Sequence, residues 1–199
     1  MNCIELSIEQ LQNECMLWAN EIEKEYRPDI IIFIAKGGFL IGWASQEVFD
    51  CPLIGVDATR KGNKVKEKLT PLLVHLPKFV LNWARAAEVK SDIHNRHTER
   101  AVNFHSTIGS IDKKKIRKVL IVDDSVDTGY SIKTVYDKVS GYFTDSTVKL
   151  AALNVWEKSK NVIRCDYNRY RDTILRSPMS KDSKEYNDFM RMYNERTGS

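Results

Sequence analysis

The chain has 199 residues and 23.0 kDa, one domain's length, enough to bury roughly 70 % of its unfolded surface in a single core. With 42 % hydrophobic residues, 29 % charged residues and a net charge of +4, the composition excludes disorder, and no run approaches the roughly 18 apolar residues of a membrane span. The start, MNCIELSIEQ, lacks a signal-peptide pattern, and Cys3, Cys15, Cys51 and Cys165 are scattered without a CxxC, so a cytoplasmic protein with reduced, packed thiols is expected. From Ser7 to about Tyr26, Ile8, Leu11, Cys15, Trp18, Ala19 and Ile22 recur at spacings of three and four, which predicts a helix, and Ser7 with Gln10 has a capping-box pattern. Arg27-Pro28-Asp29 breaks it, and Ile30 to Ala35 reads as a strand buried on both faces, as in a parallel sheet. A tight turn at Lys36-Gly37-Gly38, a helix over Phe39 to Phe49 and a short strand over Leu53 to Val56 follow. Residues 58–70 carry five basic residues against one acidic and no apolar periodicity, which predicts a mobile basic loop.

Pro77 to about Val89 has helix-like character, Lys90 to Arg100 is polar, and Ala101 to Phe104 is a candidate strand. The basic run Lys113 to Lys118 leads into a second buried strand, Val119 to Val122, with Asp123 and Asp124 at its carboxyl end. Gly129 to about Ser140 fits a helix, Val148 to Val155 a strand, Asp172 to Leu175 a short strand, and Lys184 to Glu195 a terminal helix. Repeated strand-turn-helix units predict an α/β fold, a Rossmann-like, mostly parallel sheet with helices on both faces. One domain over 1–199 is expected, with 58–110 a flexible loop or insertion and 165–199 a C-terminal segment.

Ligands of open α/β sheets bind beyond the carboxyl ends of the strands. Two such ends carry unusual polar turns, Lys36-Gly37-Gly38 and Asp123 to Ser131 within VLIVDDSVDTGYS. The second layout suits a phosphorylated sugar. Asp123 and Asp124 can accept hydrogen bonds from vicinal hydroxyls, and amides from Asp127 to Ser131 at a helix N-terminus can hold a phosphate, with Gly129 allowing close approach.

The full string of apolar strand, two acids, a variable pair and Asp127-Thr128-Gly129 resembles the phosphoribosyl-pyrophosphate signature of the type I phosphoribosyltransferases. Asp127 makes it most similar to the hypoxanthine, guanine and xanthine branch. Ala35-Lys36-Gly37-Gly38 is similar to that family's pyrophosphate loop, in which the peptide before the Lys is commonly cis. The resemblance implies the type I phosphoribosyltransferase fold with a flexible hood, and transfer of 5-phosphoribosyl from phosphoribosyl pyrophosphate to a purine-like base with release of pyrophosphate. It implies Mg²⁺ at Asp123 and Asp124 and a base-side role for Asp127. The donor would be bound by Lys36, Gly37, Gly38, Ser125, Val126, Thr128, Gly129, Tyr130 and Ser131. A small-molecule acceptor and a homodimer are expected; neither membrane nor nucleic acid is expected as a partner.

Three features depart from the branch. Trp156 stands where its base-reading Lys would be, with Lys158 two residues late. Ser177-Pro178-Met179-Ser180 keeps only the Pro of its aromatic-Pro-Trp-acid segment. No Ser-Tyr pair occurs between 58 and 110, where Arg60, Lys61, Lys64, His94, Arg96, His97 and Arg100 are instead candidates to close on pyrophosphate. Trp156 is therefore expected beside the acceptor, and a standard 6-oxopurine is not the acceptor expected. Alternatives are transfer to a sugar hydroxyl in polysaccharide synthesis, and a regulator that senses phosphoribosyl pyrophosphate.

Overall fold

Five consecutive apolar residues, Ile30–Ile34, form β2 and are buried on both faces of a six-stranded sheet. The computed structural model describes residues 3–60 and 100–198. The chain divides into two compact units, Met1–Ala58 with Val102–Ser199, and Thr59–Ala101, and of the second only two strand ends are among the described residues. The expected helix over Pro77 to Val89, and Lys61, Lys64, His94, Arg96 and His97, lie outside the described residues.

In chain order the elements are β1 (Cys3–Glu5), α1 (Ile8–Glu23), β2 (Ile30–Ile34), α2 (Phe39–Phe49), β3 (Leu53–Arg60) and β4 (Arg100–Phe104). After them come β5 (Lys118–Val126), α3 (Tyr130–Tyr142), β6 (Thr147–Val155), β7 (Tyr167–Arg171), β8 (Ile174–Arg176) and α4 (Tyr186–Thr197). The large sheet has the order β4-β3-β2-β5-β6-β7, and β3, β2, β5, β6 and β7 run parallel. From β2 the chain proceeds outward to β3 and later returns to β2's other side with β5. That reversal makes the carboxyl ends of β2 and β5 the switch point of the sheet, where a crevice opens.

Alternate residues of each strand face opposite layers. Ile31, Phe33, Leu120, Val122, Ala151 and Leu153 pack with Leu11, Cys15 and Trp18 of α1, Phe39 and Leu40 of α2, and Phe189 and Tyr193 of α4. Ile30, Ile32, Val119, Ile121, Leu150 and Ala152 pack with Ile132, Val135 and Val139 of α3. Helices thus cover both faces. The α1 capping box forms as its sequence implies, with Ser7 Oγ accepting from the Gln10 N–H at 3.1 Å and Gln10 Oε1 from the Ser7 N–H at 3.0 Å.

Several boundaries differ from expectation. α1 ends at Glu23 and not near Tyr26. β3 continues to Arg60, and Arg100–Phe104 is a strand followed by a 3₁₀ turn at Ser106–Ser110, so residues 58–60 and 100–110 are not loop throughout. β5 runs to Val126, because its ladder with β6 persists to the Val126–Val155 pair; Asp123 and Asp124 therefore lie within the strand and not in the turn after it. The basic run forms a 3₁₀ turn, Lys113–Lys115, capped by Asp112, and Asp29 Oδ2 then accepts from the Arg117 and Lys118 amides at 2.8 and 2.9 Å.

Cys15, Cys51 and Cys165 are free thiols, and burial pushes each up to about 12, which removes thiolate reactivity at neutral pH. No helix among the described residues is long and apolar enough to cross a membrane.

Candidate active site

At the end of β2 the Ala35 N–H donates to the Val56 carbonyl at 2.9 Å, the Ala35–Lys36 peptide is cis, and the Gly38 N–H donates back to Ile34 at 2.8 Å. The loop lies directly against β5. A Cβ on Gly37 would sit 2.5 Å from Asp124 Oδ1, and one on Gly38 would overlap the Val122 carbonyl. Only glycine at both positions lets this loop touch the twin-acid strand end. The Lys36 side chain does not turn toward those acids. Its ammonium lies 5.2 Å from the Tyr193 ring centroid and 3.7 Å from Met190 Sδ, on α4.

Asp123 is 9 % exposed. Its Oδ1 accepts from the Asp124 N–H at 3.0 Å, and Asp124 Oδ1 accepts from the Ser125 N–H at 2.7 Å. Burial first, and then the Asp124 charge, push the Asp123 carboxyl well above the ordinary range; burial also raises Asp124. No cation among the described residues offsets this pair, and its ionisation opposes folding. The unfolded carboxyl ionises as pH rises through about 3.9 while the folded one resists, so the native state loses stability from there up to the raised folded value. Asp123→Asn in metal-free buffer is therefore expected to raise Tm at pH 7, with the gain shrinking to nothing as pH falls below about 4. Melting curves across pH check this; a gain equal at all pH values contradicts it.

The turn after β5 exposes Asp127 and Thr128, and Gly129 adopts φ 86 as N-cap of α3. A Cβ there would stand 3.1 Å from the Ser159 carbonyl, and this tight contact adds to a φ that disfavours any side chain. Tyr130 and Ser131 open α3, whose first-turn amides are the groups a phosphate can reach. Val126 is a core side chain, and its carbonyl accepts from the Trp156 N–H at 3.0 Å.

Trp156 is half-buried, at the carboxyl end of β6. Lys158 is exposed on the 3₁₀ turn Glu157–Asn161, and that turn swings its ammonium back to 2.6 Å from Asp127 Oδ1 and 5.8 Å from the Trp156 ring centroid. A two-residue displacement in sequence thus leaves a cation beside Asp127. Between Asp124, Ser125 and Trp156 on one side and Thr173, Ile174, Leu175, Ser177 and Ser180 on the other lies a cleft of about 190 Å³.

The structure therefore brings together Gly37, Gly38, Asp123, Asp124 and Ser125, and separately Asp127, Trp156 and Lys158. The sequence reading missed Thr173 at the cleft and the buried Asn154, and reached Ser177 only as part of the altered Ser177–Ser180 segment. The signal for Asn154 was present: one amide in the otherwise apolar run Leu150 to Val155. Asp57, within β3, and His105 Nε2, just after β4, lie 3.4 Å apart and had no motif to mark them.

A parallel sheet with a Lys-Gly-Gly loop and a twin-acid strand end at its switch point defines a type I phosphoribosyltransferase fold. Residues 7–153 match the family model of the phosphoribosyl transferase domain, and the chain belongs to that family. Among solved structures it is similar to a purine phosphoribosyltransferase from Pyrococcus horikoshii, at 20 % identity and TM-score 0.62, covering 92 % of this chain and 97 % of that one. It is also similar to the Helicobacter pylori xanthine-guanine-hypoxanthine phosphoribosyltransferase, at 14 % identity and TM-score 0.60, covering 94 % and 98 %. A third likeness is to a hypothetical Neisseria gonorrhoeae protein with bound ppGpp, at 14 % identity and TM-score 0.57, covering 98 % and 97 %. At these identities the likeness is one of fold. No curated protein sequence matches the chain.

Proposed function

We propose that this protein transfers 5-phosphoribosyl from phosphoribosyl pyrophosphate to a purine-like base, forming a ribose C1–N bond, breaking the C1–O bond to pyrophosphate and releasing a proton from the base. The observation that carries the base-acceptor reading is the Lys158 ammonium 2.6 Å from the Asp127 carboxylate, next to an aromatic ring. A base edge with a carbonyl oxygen beside a ring N–H presents the complementary acceptor and donor at a similar separation. Lys158 would read the oxygen, Asp127 would hold the proton that leaves the ring nitrogen, and Trp156 would stack. Lys158 supplies the cation that Trp156 cannot, so hypoxanthine, guanine and xanthine stand among the candidate acceptors despite the substitution.

On the donor side, the first-turn amides of α3 would hold the 5-phosphate, the Asp123 and Asp124 carboxylates the ribose hydroxyls, and the loop Lys36 to Gly38 the pyrophosphate. Among the described residues no three His, Cys, Asp or Glu side chains are grouped to hold a metal ion. Two carboxylates short of countercharge fit Mg²⁺ as a companion of a diphosphate substrate, since this ion keeps most of its shell as water and phosphate oxygen. When bound there, it would neutralise charge gathering on the departing pyrophosphate.

Transfer to a sugar hydroxyl is a second reading, favoured by the hydroxyls of Ser125, Thr173, Ser177 and Ser180 around the cleft. Isotope-labelled donor with Mg²⁺ and a panel of purine bases and sugars, followed by pyrophosphate release and product mass, separates the two. A labelled nucleoside monophosphate is expected; a labelled glycoside with no nucleotide overturns the base reading.

A further inference from the structure

Asn154 is 1 % exposed within an apolar strand. A buried amide costs free energy unless it is hydrogen-bonded. This one is engaged by the backbone of a single residue, with Nδ2 donating to the Thr173 carbonyl at 2.9 Å and Oδ1 accepting from the Thr173 N–H at 3.4 Å. Thr173 is where the chain leaves the large sheet. β7 ends at Arg171, Asp172 takes a left-handed φ of 46, and β8 begins at Ile174. The Asn154 side chain therefore ties this turn to β6, beside the Asp172 N–H, which donates to the Val155 carbonyl at 3.2 Å, and Asp172 Oδ1, which accepts from the Glu157 N–H at 2.9 Å. From Thr173 to Ser180 the chain then lines the cleft that Asn154 and Trp156, at the end of β6, also line.

The same wall is held independently by β1. That strand pairs in parallel with β8, Ile4 opposite Leu175, and the Leu6 N–H donates to the Arg176 carbonyl at 3.0 Å. None of these hydrogen bonds involves the loops Lys36 to Gly38 or Asp127 to Ser131.

We infer that Asn154 is a positioning residue for the acceptor: its amide and strand β1 together hold the 173–180 wall at the spacing from Trp156 that fits the acceptor, and so set acceptor affinity without setting donor affinity. This rests on the reading of the cleft as the acceptor site. Buried polar groups with partners fix one geometry, and the Asn154–Thr173 pair, bonded through both the nitrogen and the oxygen of the amide, is such a group.

The test is steady-state kinetics with phosphoribosyl pyrophosphate, Mg²⁺ and hypoxanthine, guanine, xanthine or adenine, together with donor Kd by calorimetry. The variants are Asn154→Leu, which removes both hydrogen bonds at similar volume, Leu6→Pro, which removes the N–H on the far side, and Trp156→Ala as a marker of the cleft. Both positioning variants are expected to raise acceptor KM about tenfold, with kcat and donor Kd within about twofold. Equal weakening of donor and acceptor would make Asn154 a fold anchor only and overturn the inference. So would a raised KM in Trp156→Ala with none in Asn154→Leu or Leu6→Pro, while the acceptor reading stood. If Trp156→Ala changes nothing, or the unmodified protein uses none of the four bases, the acceptor reading itself falls and the inference with it. Should Asn154→Leu not fold, Leu6→Pro decides.

Discussion

Replacing Asp123 and Asp124 together by Ala is expected to reduce the affinity for phosphoribosyl pyrophosphate with Mg²⁺ by about 10²- to 10⁴-fold, read by calorimetry as near-complete loss of binding heat. Each ionised carboxylate that accepts from a hydroxyl contributes about 1.5–3 kcal/mol, so two contribute about 3–6 kcal/mol before any loss of metal contact. No other acid among the described residues is placed to substitute, because no further His, Cys, Asp or Glu completes a cluster with them. The variant should also keep its fold. Ionised Asp123 and Asp124 oppose folding through burial and mutual repulsion, so their removal relieves a cost. A lost binding signal in a protein of unchanged or higher Tm would place the donor at these residues, and undiminished affinity would remove the donor reading.

Asp127→Asn is expected to lower kcat by about 10²- to 10⁴-fold, the range for loss of a positioned proton acceptor, with donor Kd changed only a few-fold. The neighbouring ion pair makes this clean. Asp127 and Lys158 side chains are 66 % and 57 % exposed, and an ion pair so open to solvent contributes only about 0–1 kcal/mol, so its loss should not disturb the turn. Rapid-mix and steady-state rates check the split. A kcat within a few-fold of the parent would reduce Asp127 to a loop residue, and a donor Kd that weakens with kcat would assign it to shaping the phosphate turn.

The architecture was legible where one physical signal dominated. Ile30 to Ile34 and Val119 to Val122 are apolar throughout, which a doubly covered parallel strand explains, and the 3.6-residue periodicity of α1 named Leu11, Cys15, Trp18, Ala19 and Ile22 of its buried face, with Ile8 only partly covered. Strands held by neighbours were not legible. β7, Tyr-Asn-Arg-Tyr-Arg, is a half-buried edge strand without apolar alternation, and β1 is three residues whose order comes from β8. In the site, the twin acids and the two glycine turns announced themselves by type and order. Lys158 and Ser177 were visible only as departures from the family pattern, because the approach of Lys158 to Asp127 depends on a 3₁₀ turn that no spacing rule encodes. Thr173 gave no signal, since its place at the cleft is fixed through Asn154.

Gly37 leaves no thickness between the loop after β2 and the Asp124 carboxylate. Mechanically the two are coupled: a shift of the loop is passed at van der Waals contact to the Asp124 side chain, which must turn to make room. A ligand that holds the Asp124 carboxylate in place therefore also holds the loop that rests against it. A substitution at position 37 puts at least a methyl group where the Asp124 carboxylate stands, so it would act on the acid before it acted on the loop.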